Sequence, residues 1–205
     1  ANNLNLIFDD IFAFSHLEDR SLEERKVKFS IEVLIKSKLI IYENEARLKV
    51  KLNLNIDDRL PCEGYGDQEG LSQIMDHLLS NAIKFTDEGF IILDYDINYE
   101  NETIDFLVKD SGIGIADEQQ EKIFIRFSKI DFNENEDNNG LGLGLAISKA
   151  YVEMLGGTIA LKSEIGVGSS FLFSIPLKID ERACITNEEK SIKDLPLNLG
   201  DKELI

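Results

Sequence analysis

Apolar residues in this chain recur with two different periods, and the places where the period changes divide it into elements. Near the start, Leu4, Ile7, Ile11 and Phe14 alternate spacings of three and four, a heptad-like stripe that predicts an amphipathic helix needing a partner. "FSIEVLIKSKLIIYENEA" predicts a second helix. It leads into "RLKVKLNLNID", where Leu48, Val50, Leu52 and Leu54 alternate with polar residues as in a half-buried strand. "LPCEGYGD" reads as a turn-rich break, after which Asp67 stands as N-cap to "QEGLSQIMDHLLSNAIKF", a helix with Leu71, Met75, Leu78 and Ala82 on one face. "FIILDYDIN" and "TIDFLVKD" form a hairpin across "YENE". A helix is expected over "DEQQEKIFIRF". The acidic, asparagine-rich "DFNENEDNN" and a glycine run come next, then a helix closed by the glycines of "LGG". Two strands, "TIALKSE" and "SSFLFSIPL", meet at the turn "IGVG", and from about residue 179 the chain is polar, contains Pro196 and Gly200, and reads as a linker. The pattern sums to an α+β domain, a mixed sheet layered against helices, with a helical segment in front.

Composition narrows the function. The chain has 205 residues, 43% of them hydrophobic, enough to bury the core of one domain with segments at its ends. Its 22 basic and 39 acidic residues give a net charge of −17, which argues against nucleic acid as a partner, because phosphate backbones are bound through clustered Lys and Arg. Cys62 and Cys184 lie outside any CxxC or metal-ligand spacing and read as reduced, structural thiols, as suits a cytoplasmic domain. No apolar run approaches the roughly 20 residues that span a bilayer, and the first residues lack a signal-peptide pattern.

Candidate chemistry falls in three places. On the strand "TIDFLVKD", Ile104, Phe106, Val108 and Asp110 share one face, so a carboxylate is aimed toward the core side. Such an Asp accepts from an exocyclic amine such as adenine N6 and rejects the carbonyl of guanine, with Gly112 and Gly114 in "DSGIGI" letting backbone approach a planar group. Taken alone, "DSGIG" favours a plain Asp in a tight glycine turn. On the preceding helix, His77, Asn81 and Lys84 at i, i+4 and i+7 share a face, where a carboxamide oxygen suits Mg²⁺ and an ammonium suits phosphate. A Lys near a helix C-terminus is also what the macrodipole favours. In "NNGLGLGLAISK", glycines 140, 142 and 144 offer backbone N–H groups as an anion nest at the start of a helix. Glycine-rich stretches also make flexible loops.

In their order, "HLLSNAIKFT", "DSGIGI", "IFIRF", "GLGLGLAISK" and "GGTIALKSEIGVGSSFLFSIPL" resemble the N, first glycine, F, second glycine and last glycine boxes of the sensor histidine kinase ATP-binding domain, over residues 31 to 178. The resemblance implies a two-layer α/β sandwich of the Bergerat type that binds ATP or ADP with Mg²⁺. It implies that Asn81 holds Mg²⁺, with His77, one turn before it, a second candidate for the same metal site, that Lys84 touches phosphate, and that Asp110 takes the adenine amine beside Gly112 and Gly114. Ser169 would help Asp110 through a water. Phe124, Arg126 and Phe127 would form the F box, with Arg126 joining Asn81 and Lys84 in catalysis. Gly140, Leu141, Gly142, Leu143 and Gly144 would line the phosphates, and residues 128 to 139 would be a lid over them.

The resemblance also implies a cytoplasmic kinase portion, homodimeric in its full-length form. Residues 1 to 30 look like the second helix of a dimerisation hairpin, whose first helix would carry the phosphoacceptor His, and a response-regulator receiver domain would be the downstream partner. His16, in "FSHLEDR", falls outside the acceptor pattern, as does His77. Residues 179 to 205 would be a linker, and "DKELI" is consistent with the opening strand of a receiver domain in a hybrid kinase. Two departures stand out: His77 occupies a position that is usually Asn, and Gly70 one that is commonly Arg. A gyrase-like or chaperone ATPase would have Glu at the His77 position, and a degenerate interaction module would have lost Asp110, Asn81 or the glycines. An EF-hand reading of the acidic run from Asp131 fails, because its sixth position is Glu136 and its twelfth Gly142.

Overall fold

The computed structural model describes residues 25–46, 50–55, 63–98, 100–128 and 142–179. The stripe from Leu4 to Phe14, His16, both cysteines, residues 129 to 139 of the expected lid, Gly140, Leu141 and everything after Ile179 lie outside the described residues.

The described chain runs β1 (Val27–Phe29), α1 (Ile31–Glu45), β2 (Val50–Asn55), β3 (Gly64–Gly66), α2 (Gln68–Lys84), β4 (Gly89–Asn98), β5 (Thr103–Asp110), α3 (Asp117–Gln120), a 3₁₀ turn (Lys122–Phe124), α4 (Gly144–Met154), β6 (Thr158–Glu164), β7 (Gly168–Pro176) and β8 (Lys178–Ile179). Strands β2-β4-β5-β7-β6 form one five-stranded sheet, antiparallel except for the β2–β4 pair, and β1-β3-β8 form a small second sheet. The alternation read in the sequence sets the register. Phe106 pairs with Phe173 and Val108 with Phe171 across β5 and β7. The Phe106 and Phe173 rings stack with centroids 4.8 Å apart, adding about 0.5–1.5 kcal/mol to the burial of two large side chains. Ile91, Leu93, Ile104, Phe106, Val108 and Phe173 on the inner sheet face join Leu71, Ile74, Met75 and Leu78 of α2 and Ile147 and Val152 of α4 in one core. The result is a two-layer sandwich of sheet and helices.

Local signals explain the helix starts. Ser30 caps α1 by accepting from the Val33 amide at 3.2 Å, and Asp67 caps α2 by accepting from the Gly70 amide at 2.8 Å. Lys38 of α1 reaches both carboxylate oxygens of Asp76 on α2, at 2.7 and 2.6 Å, and fixes one helix on the other.

Four expectations are corrected. Gly64–Gly66, inside the stretch read as a turn, is a strand that pairs with β1 on one side and β8 on the other. Val27–Phe29 therefore belongs to a sheet although it falls in a stretch expected to be helical, and Ile179 belongs to β8 instead of the linker. The helix expected over "DEQQEKIFIRF" is one turn, α3, followed by a 3₁₀ turn and an extended Ile125. Its four apolar residues follow no helical period: Ile123 is buried, Phe124 is half-buried, and Ile125 and Phe127 face solvent.

Candidate functional site

Asp110 ends β5 on its inward-facing side, 6% exposed. Two backbone amides, those of Gly112 at 2.9 Å and Ser169 at 3.2 Å, both donate to its Oδ1. Burial raises its pKa above the ordinary carboxylate range, and the two amides pull it partly back. Both donors converge on one oxygen, so Oδ2 is the acceptor left for a ligand. Beneath the same loop Thr86 is fully buried, and its Oγ1 has no hydrogen-bond partner among the described residues. A hydroxyl of that kind ordinarily meets a bound water.

The loop after Asp110 is held by its neighbours in the fold. The Ile113 amide donates to the Phe85 carbonyl at the end of α2, and the Ile115 amide to Ser163 Oγ on β6. Gly114 has φ +71°, and a Cβ there would sit 1.9 Å from the Glu164 carbonyl oxygen; at Gly112 a Cβ would lie 2.2 Å from that of Phe85. These glycines answer to close protein backbone on their Cβ side. Ser169 meets Asp110 through its amide, while its hydroxyl lies 3.0 Å from Ser163 Oγ.

On α2, the apolar stripe turns His77, Asn81 and Lys84 to a common side, with His77 and Asn81 half-buried and Lys84 exposed. Lys84 Nζ lies 5.1 Å from the Phe85 ring centroid. His77 Nδ1 lies 3.1 Å from Ser148 Oγ on α4, and its ring lies against Gly144, the first residue of that helix. Leu143 packs its side chain into the core, so its offer to a ligand is backbone. Gly142 has φ +67°, and a Cβ there would sit 2.5 Å from the Ser128 carbonyl oxygen. Its own carbonyl accepts from the Phe127 amide at 3.1 Å, so Phe127 and Gly142 are tied together directly. Phe127 itself adopts φ 60°, rare for a bulky residue, with its ring exposed. Phe124 is an anchor: its ring meets Phe171 edge-on at 6.4 Å and lies 5.7 Å from Lys149 Nζ. Arg126 is exposed.

The structure thus brings the last glycine strand to Asp110, the loop after Asp110 to the end of α2, and α4 to His77. Ser148, Ser163 and Thr86 were not anticipated; Ser148, a polar residue one turn after Gly144 amid apolar neighbours, carried a readable signal.

At Gly70 a Cβ would lie 3.0 Å from Asp67 Oδ2 and 3.3 Å from Tyr151 Cδ1. The guanidinium beside them is that of Arg25, hydrogen-bonded to Tyr151 and 4.0 Å from Asp67 Oδ2. Burial, ahead of these charges, raises the Tyr151 pKa.

A family profile described as histidine kinase-, DNA gyrase B-, and HSP90-like ATPase matches residues 66–179. The hybrid signal transduction histidine kinase B of Dictyostelium discoideum is 40% identical over 87% of this chain and 9% of its own length. The sensor histidine kinase AruS of Pseudomonas aeruginosa is 34% identical over 97% of this chain and 20% of its own. The chain therefore spans a fifth or less of these relatives. Among solved structures, full-length ShkA in complex with AMPPNP superposes with a TM-score of 0.71 at 26% identity, over 84% of this chain and 35% of that one. The catalytic domain of the histidine kinase ThkA, nucleotide-free, superposes with a TM-score of 0.62 at 26% identity, over 74% of this chain and 97% of that one.

Proposed function

The chain belongs to the histidine kinase-, DNA gyrase B-, and HSP90-like ATPase family, and from that premise we propose that it is the ATP-binding catalytic domain of a two-component histidine kinase. In this reading it presents the γ-phosphoryl group of ATP to a histidine on a dimerisation helix outside these 205 residues. The observation that carries the reading is Asp110: a buried carboxylate held on one oxygen by two amides, with the other oxygen left to accept the adenine amine. Guanine would set a carbonyl against that acceptor and leave both unsatisfied.

Each residue then has a task. Lys84 draws phosphate oxygens by charge, and the backbone amides from Gly142 to Gly144, at the positive end of α4, bind them by hydrogen bonds. Arg126 adds positive charge from the F box. The Asn81 carboxamide oxygen is the hard donor that would hold Mg²⁺. Mg²⁺ neutralises phosphate charge when bound. The protein's own share is to bind and orient the nucleotide, the larger part of catalysis in phosphoryl transfer. A gyrase-like hydrolase is disfavoured because His77 occupies the position where that reading needs Glu.

The full-length protein, in this reading, is a homodimer through its hairpin, passes its phosphoryl group to a receiver domain and works in the cytoplasm. No described helix is long and apolar enough to cross a membrane. Two measurements test the proposal. Calorimetry should show binding of ATP and ADP with Mg²⁺ and none of GTP. Incubation with Mg·ATP and a separately supplied dimerisation hairpin should place acid-labile phosphate on the hairpin. Equal affinity for ATP and GTP, or stoichiometric labelling of His16 or His77 in this chain alone, refutes it.

A further inference from the structure

We propose that His77 is a positioning residue: through Nδ1 it clasps α2 to the first turns of α4 and so sets the spacing between the Asn81 face and the glycine-rich start of α4. The inference rests on the nucleotide-binding reading and goes beyond it, since His77 then acts as neither cation ligand nor base.

Nδ1 is engaged by Ser148 Oγ at 3.1 Å, and Ser148 is fully buried on the inner side of α4 among Ala146, Ile147 and Val152. A buried hydroxyl needs a partner, and a half-buried imidazole on the neighbouring helix is the one beside it. The same ring lies along Gly144, where a Cβ would come 3.3 Å from His77 Cδ2 and 3.5 Å from Cγ, so a side chain at 144 would press on the imidazole. Gly144 and Ser148 are one turn apart on α4, and His77 and Asn81 one turn apart on α2. One ring therefore spans the interface where the two phosphate-facing elements meet. An imidazole is also a poor choice for Mg²⁺, which prefers oxygen donors. Asn, the usual residue here in the family that the sequence resembles, branches at Cγ and sets a polar atom where Nδ1 sits. Gln sets its polar atoms one bond further out, near the Nε2 position.

That difference separates the two nitrogens experimentally. In the whole 205-residue chain with Mg²⁺, His77→Asn should bind ADP as the native chain does. His77→Gln, His77→Ala and Ser148→Ala should weaken ADP by about 2- to 12-fold, the range one hydrogen bond supports. Adenosine, which has no phosphates to misplace, should bind all of them alike. The His77→Ala/Ser148→Ala double variant should lose no more than either single one, and its urea unfolding without nucleotide should show coupling between the two sites. If His77→Gln keeps affinity while His77→Asn loses it, Nε2 is the working atom and the clasp is wrong. Adenosine weakening in step with ADP would mean damage to the fold, and unchanged ADP affinity in every variant would leave nothing for a clasp to do; either result overturns it. Zero coupling in the urea cycle overturns it without reference to nucleotide, whereas a native chain that binds neither adenosine nor ADP while the coupling persists refutes the ATP reading instead.

Discussion

Asp110→Asn should separate what the site does for the fold from what it does for the ligand. Asn keeps an Oδ1 that accepts from the Gly112 and Ser169 amides at 2.9 and 3.2 Å, and it removes a charge that burial penalises at 6% exposure. The sign follows from linkage. Because its folded pKa is raised, Asp110 binds its proton more readily in the folded chain, so its ionised form weakens folding at neutral pH. The variant should therefore unfold at the same Tm or a higher one at pH 7, with each kcal/mol gained worth about 2–4 °C in a chain of this size. The ligand sees the opposite. The carboxamide's second polar atom is an NH₂ donor facing the adenine amine, and the charge-assisted bond it replaces is worth about 1.5–3 kcal/mol. That is about a 10- to 150-fold rise in Kd for ADP. GTP, whose O6 accepts from an amide, should close part of the gap to ATP. Calorimetry with ADP, ATP and GTP, paired with urea unfolding of the same preparations, reads both halves. An ADP Kd within threefold of native, or a loss of affinity matched by a large fall in stability, would refute the reasoning.

The pH dependence of the native chain follows from the same raised pKa. ADP affinity should fall on acidification through that pKa, while the folding contribution of Asp110 is fully present below the ordinary carboxylate pKa of about 3.9 and is lost as pH rises through the raised one; calorimetry and urea unfolding across pH, against Asp110→Asn as baseline, check both directions. Two glycines separate backbone strain from collision. Gly166→Ala, at φ +76° with nothing within 4 Å, should cost only the left-handed penalty of about 1–2 kcal/mol. Gly114→Ala, at φ +71° with the Glu164 carbonyl oxygen 1.9 Å from its new Cβ, should exceed about 3 kcal/mol in urea unfolding; equal costs would show that the loop relaxes freely.

What the sequence made legible was whatever repeats. The alternation of β4, β5 and β7 and the capped, one-faced α2 appear in the structure where their periods place them, because a buried face enforces a period over six or more residues. Strands β1, β3 and β8 are two or three residues long, too short to show one, and they exist by pairing with each other. The segment from Asp117 to Phe127 misled for a different reason: its apolar run Ile123–Phe124–Ile125 is divided between core and solvent, which no single helix face accommodates. At the site, Asp110 was legible through strand parity. The reasons for Gly112 and Gly114 were not, since the carbonyls that exclude a Cβ belong to Phe85 and Glu164, neighbours only in the fold.

The two departures noted in the sequence, His77 and Gly70, share a physical explanation that neither shows alone. Both lie on α2, and in each the structure supplies an atom from elsewhere at the junction with α4. Ser148 meets the imidazole of His77. Arg25, ahead of β1, brings a guanidinium to Asp67 and to Tyr151 of α4, beside a Gly70 whose missing Cβ leaves room for both side chains. A Cβ at position 70 would lie 3.0 Å from Oδ2 of Asp67, the N-cap of α2, so that carboxylate would have to give by a few tenths of an ångström. With Gly70 the charge comes from residue 25 and the cap stays in place, its Oδ1 still accepting the Gly70 amide at 2.8 Å. The α2–α4 junction is thus held by Ser148 at one end and Arg25 at the other.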